Sequence, residues 1–410
     1  MPDSQKWFRP RRSIHRRLSR CWASGVFRAM VTQNQTLPQV KIATTDAERE
    51  AIFRFRYRIY IQEMNVWLPH TDHRRQHVCD RHDESALLFY IEDQGEVVAT
   101  LRRNMVDIDN CHPEWREAFA LERFAKVAPN TLSVSGRFMV ASRFRHSSMA
   151  ARLAIAAYRH GREEGVRFDF LLSRFHQIEM YEHLGYRRYV NNYLDVNHAF
   201  GLMAPMVCVG EDVEHLRSVG SPFAREARRF ANRASEGAWF SEQFPAPPEF
   251  APARTLSPER RWSQMCRLLG GPPERAIRML QGLSEADARA LLKHALLHRV
   301  RAGKIIVQRG DLLGSLFIIA SGAVALYYPG NFDRPPDVLS SGECFGAEGI
   351  LASCCAVGQA VALSEVYLLV LPEAAVAQHR HKHPQVIHHL RANLLQEPCS
   401  RFLPTAILHS

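Results

Sequence analysis

The stretch VSGRFMVASRFRHSSMA at residues 134–150, continuing to Tyr189, decides the fold. Ser135–Val140 closes on the apolar run Phe138, Met139, Val140 and reads as a strand. A turn through Arg143–Ser148 enters a helix predicted from about Met149 to Glu164. Leu153, Ala154, Ala157 and Tyr158 share one face of it, and Gly165 ends it. Val166–Leu172 is a second short strand. Gln177–His183 is a second helix, stopped at Gly185. Strand, turn, helix and strand make a βαβ unit. Ser147, Ser148 and Ala150 keep the start of that helix small.

Arg145-His146-Ser147-Ser148-Met149-Ala150 resembles the R-x-x-G-x-G/A acyl-thioester motif of the GNAT N-acyltransferase superfamily. Tyr181-Glu182-His183-Leu184-Gly185-Tyr186 is similar to that superfamily's Y-E-x-L-G-F signature. The resemblance implies that Met139, Val140, Arg145, Ser147, Ser148 and Ala150 bind the donor, and that Tyr181 protonates the departing thiolate. Taken singly, each has another reading. Arg145 and two serines suit a plain N-capped helix, and Tyr181 suits a packed aromatic. Their order, about 35 positions apart, favours acyl transfer.

Upstream, Val40–Ala43 reads as a strand, and Thr45 to Glu48 as a capping box opening a helix that runs to Glu63. A polar loop spans 65–84. Leu87–Glu92 and Val97–Arg102 form a hairpin turning at Gln94-Gly95. This R-x-R-x-Y helix, aspartate-bearing loop and T-x-R hairpin resemble autoinducer synthases and N-acyl amino acid synthases over residues 38–210. The matching positions are Arg56, Arg58, Tyr60, Asp80, Asp83 and Arg102, with Arg137–Val140 in the following strand. The resemblance implies a long acyl chain moved from acyl carrier protein or acyl-CoA to an amine such as an amino acid. Asp80 and Asp83 would organise the amine side, or simply cap a turn. Arg56, Arg58, Arg102, Arg137 and Arg143 would contact substrate or an acidic carrier. Gly136 replaces the family's serine, and Val134 and Ser135 stand where an acid is often found, which argues against a glutamate base.

The chain has 410 residues, 46% hydrophobic and 23% charged, enough for two or three domains. No apolar run reaches the roughly 18–20 residues of a membrane span. Nine cysteines without a C-x-x-C pair suit a reducing cytoplasm. Of the net +11, residues 1–30 supply +7, from eight Lys and Arg against Asp3. Ile14, Leu18, Trp22 and Val26 recur at helical spacing. That arm is either an amphipathic helix seated peripherally on an anionic inner-membrane face or a solvated tail. The charge therefore does not point to nucleic acid. His70, Asp72, His73 and His77 have ligand chemistry, but their segment lacks a helical apolar period, and the expectation is no metal.

After residue 210 a helical, proline-rich linker to 272 precedes a second unit at 273–395 and a tail at 396–410. Short apolar strands separated by glycines, with Ala302-Gly303, Gly310-Asp311 and Ile318 to Gly322, suggest a β jelly roll. This pattern resembles the cyclic-nucleotide-binding domain. The expected fold class is thus an α/β (α+β) GNAT-like domain followed by that jelly roll. The ligand cassette departs from the family's. Glu348 lies one position late after Gly346, and Cys355-Ala356 stands in place of Pro-Arg. Losing one charge-assisted phosphate contact costs about 1.5–3 kcal/mol, roughly 10–150-fold in affinity. A degenerate sensor, or a sensor of another ligand, is expected. Cys344, Cys354 and Cys355 suit small buried core positions better than redox sensing. The expected function is a sensor-modulated N-acyltransferase. The rivals are a sensor-regulated lysine acetyltransferase using acetyl-CoA and a non-enzymatic regulator.

Overall fold

A computed structural model describes residues 38–396, apart from 65, 67, 69, 126–130, 146, 175–176, 191, 196–200, 231–235, 246–256, 312, 329–334 and 352–355. The basic arm, most of the proline-rich connector, Cys354, Cys355 and nearly all of the tail lie outside the described residues.

The chain begins with β1 (Val40–Ile42) and α1 (Asp46–Tyr57). The Thr45 side chain caps the Glu48 N–H, and Glu48 returns the bond, so the predicted capping box is formed. The predicted helix does not continue regularly to Glu63. Arg58–Glu63 is a π turn, a local widening often found where a helix must present side chains to a site. The ribbon β2 (Thr71–Asp72) and β3 (His77–Val78) follows, then the hairpin β4 (Leu87–Asp93) and β5 (Glu96–Val106) and the short α2 (Pro113–Ala118). The deciding stretch forms β6 (Leu132–Val140), α3 (Met149–Glu163), β7 (Phe168–Ser173) and α4 (Ile178–Leu184). Beyond it run β8 (Arg187–Arg188), β9 (Tyr193–Asp195) and β10 (Gly201–Val209).

One eight-stranded sheet has the order β1-β4-β5-β6-β7-β10-β8, with β9 on β10. Every pairing is antiparallel except β6 with β7. A parallel pair needs a crossover, and α3 supplies it. The β6–β7 ladder has three rungs, ending at Val134↔Phe170, although both strands continue. β6 stays on β5 as far as Val140, and β7 stays on β10 as far as Ser173. The two strands therefore diverge in the middle of the sheet.

Gly185 ends α4 at φ 109, and its one backbone N–H is shared between the Tyr181 and Glu182 carbonyls. A Cβ there would lie 2.2 Å from Leu216 Cδ2. Gly185→Ala is expected to lower stability by about 1–3 kcal/mol, read in urea unfolding.

Helices α5 (Val213–Ser218), α6 (Ala224–Phe230), α7 (Glu236–Gln243), α8 (Pro258–Leu269), α9 (Pro273–Ala276) and α10 (Glu285–Leu292) lead to the second β unit. Its strands are β11 (Leu296–Val300), β12 (Ile305–Val307), β13 (Ser315–Ser321), β14 (Val324–Tyr327), β15 (Asp337–Leu339) and β16 (Cys344–Phe345). After α11 (Ala347–Leu351) come β17 (Gln359–Ala362) and β18 (Val366–Pro372). They make two four-stranded sheets, β11-β18-β13-β16 and β12-β17-β14-β15, followed by α12 (Glu373–Lys382) and α13 (Pro384–Gln396). Tyr181, Leu184 and Tyr186 share one apolar core with Trp262, Leu291, Ile306 and Leu369, so the two units pack directly. The molecule is an α/β region on one mixed sheet followed by a C-terminal unit of two four-stranded antiparallel sheets, the architecture the sequence predicts.

Candidate functional site

The fork between β6 and β7 is the centre of the site. In the β5–β6 register Leu101 faces both Arg137 and Phe138, a bulge between the pairs Thr100↔Met139 and Arg102↔Gly136. Arg137 takes up the bend at φ 52. A left-handed arginine costs about 1–3 kcal/mol and persists only where its surroundings hold it. Arg137 donates to Asp80 at 2.5 Å and to the Tyr60 hydroxyl, with its guanidinium 5.3 Å over the Tyr60 ring. Burial works against the Arg137 charge, but Tyr60 and Asp80 outweigh it and hold the group protonated.

Asp80 and Asp83 sit at the two ends of a single helical turn, each capping the other's backbone. Asp80 accepts Arg102 at 2.6 Å. Asp83 accepts Arg56 at 2.8 Å and lies 3.3 Å from Arg102. Burial raises both carboxyls, yet Arg137 and Arg102 around Asp80, and Arg56 and Arg102 around Asp83, pull them below the ordinary range. Two carboxylates fixed in this way are poor proton acceptors near neutrality. They suit positioning, and they confront three guanidiniums, one positive charge in excess.

The structure places the other sequence-predicted residues in different surroundings. Arg56 is fully buried, so it lies inside this network and not on a carrier-docking surface. Its Nε and Nη2 have no acceptor among the described residues. Arg58 and Arg143 meet at the surface, 3.6 and 3.7 Å from Glu96, and Arg58 also donates to the Val97 carbonyl. Arg145 is tied to Glu63 and donates to the Val140 carbonyl at 3.0 Å, so its side chain builds the turn that precedes α3. Ser147 donates to the Phe144 carbonyl and accepts the Met149 N–H, while Ser148 is an exposed N-cap without a side-chain capping bond. Ala150 faces the core, and only its backbone can serve a ligand.

The Ala141 N–H bonds to the Val98 carbonyl on the β5 side. Strand alternation then turns the Val140 N–H to the opposite edge, toward the fork. Met139, like Ala141, points its N–H at β5 on the same alternation. Of the two strand residues expected to bind the donor, Val140 has the better-placed amide.

Tyr181 is buried on α4, its ring edge-on to Tyr186 at 5.8 Å. Burial first, and then Tyr60, push its hydroxyl well above the ordinary tyrosine range, so it keeps its proton at neutral pH. The next residue, Glu182, pairs with Arg188 at 3.2 Å. Arg188 donates across to the Leu297 carbonyl of β11 at 3.0 Å. His294 lies 3.5 Å from Glu179 on the same helix. The helix bearing Tyr181 is thus wired to the first strand of the C-terminal unit.

Two residues lie outside the sequence reading, Glu63 and Asp169. Glu63, like the anticipated Tyr60, comes from the π turn. Asp169 on β7 accepts Ser133 at 2.6 Å, Ser135 at 3.0 Å and Tyr186 at 2.5 Å, with Arg103 at 3.6 Å. It locks the two strands together at the last rungs before they diverge. The only sequence signal was an aspartate inside an apolar strand.

Among the described residues the histidine loop does not gather His70, Asp72, His73 and His77 into one cluster. His73 bonds to the Tyr57 hydroxyl at 3.1 Å, His77 faces Arg54 at 3.3 Å, and Asp72 accepts the Arg74 and Arg75 N–H groups. In the C-terminal unit Gly346 is required by its φ of 82, since a Cβ would lie 3.0 Å from the Ser315 carbonyl. Glu348 lies on α11. Ala356 is buried and exchanges backbone bonds with Gly310 and Asp311, offering an anion no charge. Cys344 is buried in β16.

Among the described residues no helix is long and apolar enough to cross a membrane. No curated protein matches the chain. The solved structures it resembles include the catabolite activator protein of Thermus thermophilus, at 29% identity over 29% of this chain and 57% of that one, TM-score 0.27. They also include the sensor domain of the transcriptional regulator DNR from Pseudomonas aeruginosa, at 16% identity over 33% and 89%, TM-score 0.28. A third is a cyclic nucleotide-binding domain from Methylobacillus flagellatus KT, at 17% identity over 34% and 79%, TM-score 0.30. The chain thus spans little more than half of the catabolite activator chain. The acetyltransferase (GNAT) domain family matches residues 55–155, and the cyclic nucleotide-binding domain family matches residues 297–383. The chain therefore carries a GNAT-type acetyltransferase domain and, C-terminal to it, a cyclic nucleotide-binding domain.

Proposed function

We propose that this protein is an N-acyltransferase that moves a long acyl chain from acyl carrier protein or acyl-CoA onto an amine, with an amino acid as the acceptor. The observation that carries the reading is the β6–β7 fork. One edge of it presents the Val140 N–H, and the Tyr60–Arg137–Asp80 cluster lies beside a protonated Tyr181. In this mechanism the amine nitrogen attacks the thioester carbonyl, the Val140 N–H polarises the carbonyl oxygen, and the C–S bond breaks. Tyr181 gives its proton to the sulfur, and the proton lost by the nitrogen passes through water to restore Tyr181. The excess guanidinium charge around Asp80 and Asp83 suits an acceptor carboxylate. Backbone N–H groups at the start of α3 suit the donor's phosphate, since Arg145 is engaged elsewhere. Arg58 and Arg143 suit an acidic carrier, and the basic arm suits an anionic membrane surface.

The C-terminal domain acts on this chemistry through Arg188 and Glu182, and Ala356 argues for a ligand other than a cyclic phosphate. A second reading, acetyl transfer to protein lysine from acetyl-CoA, draws support from the acetyltransferase description of the matched family. Thiol release across a series of acyl donors separates the two. The long-chain reading expects kcat/KM to rise by about threefold to fourfold per added CH₂, from about 0.8 kcal/mol each. A maximum at the acetyl donor would replace it with the second reading.

A further inference from the structure

We propose that His82, His112 and Glu114 form a site for one divalent transition-metal ion, with zinc the best match to two imidazoles and one carboxylate. One donor atom from each lies within 4.8 Å of the other two, and all three side chains are half-buried. His82 is held by contacts of its own, and His112 and Glu114 hold each other. His82 belongs to the turn between Asp80 and Asp83, where its N–H donates to Asp80 at 2.9 Å and its carbonyl accepts Asn104 at 2.6 Å. Its ring stacks on Trp115 at 4.2 Å and 19°. His112 caps α2 by accepting the Glu114 N–H at 3.3 Å, and its Nδ1 lies 3.6 Å from the Glu114 carboxylate. The two imidazole rings meet edge to face at 5.5 Å.

A cation already lies at these acceptors. Arg81 Nη2 is 3.3 Å from His112 Nδ1 and 3.4 Å from Glu114 Oε2. An ion would displace that guanidinium, which can swing outward because Arg81 is more than half exposed, and ligation through Nδ1 would also take that lone pair from the Glu114 N–H. Ligand bonds of about 2.0–2.2 Å require the donors to draw in, with water completing a tetrahedron. The bound ion would clamp the turn that holds Asp80 and Asp83 to α2. The inference is independent of the acyl-transfer reading, because its test measures binding alone.

The test is calorimetric titration of full-length, EDTA-treated protein with ZnCl₂. Wild type is expected to bind one ion with micromolar affinity, and His112→Ala and Glu114→Gln to weaken it by at least about tenfold. Arg81→Ala, which removes the competitor and leaves the ligands, is expected to tighten it by about tenfold, the gain from deleting one like charge near the ion. Absence of saturable binding, a wild-type affinity retained in His112→Ala, or an Arg81→Ala affinity no tighter than wild type would overturn the proposal.

Discussion

Tyr181→Phe is expected to lower kcat by about 10²–10⁴-fold with KM nearly unchanged, measured as thiol release from a long-chain acyl donor. The hydroxyl acts only as the C–S bond breaks, so its loss removes an interaction made in the transition state. The ring keeps its packing against Tyr186, and thermal stability should hardly move. The wild-type pH profile supplies a second readout. Burial, followed by Tyr60, raises the Tyr181 hydroxyl well above the ordinary value near 10. Activity should therefore show no loss from deprotonation of this group around pH 10, where an exposed tyrosine would already titrate.

Asp80→Asn is expected to lower stability by about 3–5 kcal/mol and to abolish most activity, because it leaves Arg102 and Arg137 buried against a neutral amide. The strained backbone at Arg137 would lose the charged partner of the two that hold it. Lys41→Ala, which breaks the exposed pair with Glu92, should change stability by no more than about 1 kcal/mol. Acid titration tests the same network. Arg137 and Arg102 depress the folded-state Asp80 carboxyl, and Arg56 and Arg102 that of Asp83. A group depressed on folding contributes its full stability above the unfolded value near 3.9 and loses it as the pH falls toward the folded value. Wild type should therefore lose stability steeply below about pH 4, and Asp80→Asn less so, compared by urea unfolding at stepped pH.

The parts of this fold that are local in sequence were legible. Gly185 stops α4 and the box at Thr45 and Glu48 opens α1, because each signal depends on residues a few positions apart. The α3 crossover followed from its apolar face and closing glycine. The π turn at Arg58–Glu63 was not legible, since its residues satisfy an ordinary helical period and only tertiary bonds from Tyr60 and Glu63 select the wider turn. Gly136 beside Arg137 would have suggested that the glycine takes up the bend. The arginine takes it instead, held by Asp80.

Arg56, Arg102, Arg137, Asp80 and Asp83 stand out as candidate site residues by resemblance, but their mutual pairing does not. Charge patterns in sequence do not reveal which acid neutralises which base. The same limit hides the tie between Arg145, matched by resemblance to the donor motif, and Glu63, because Glu63 lies on a separate element. Asp169 was missed for a related reason. A lone aspartate in an apolar strand acquires meaning only when β6 delivers Ser133 and Ser135 to it.

The most direct measurement is product mass spectrometry. Purified full-length protein would be supplied with long-chain acyl carrier protein and a mixture of amino acids, beside Tyr181→Phe. The expected result is an N-acyl amino acid formed in step with free thiol, and nearly lost in the variant. Absence of both amide product and thiol release above the uncatalysed rate would contradict acyl transfer at the β6–β7 fork.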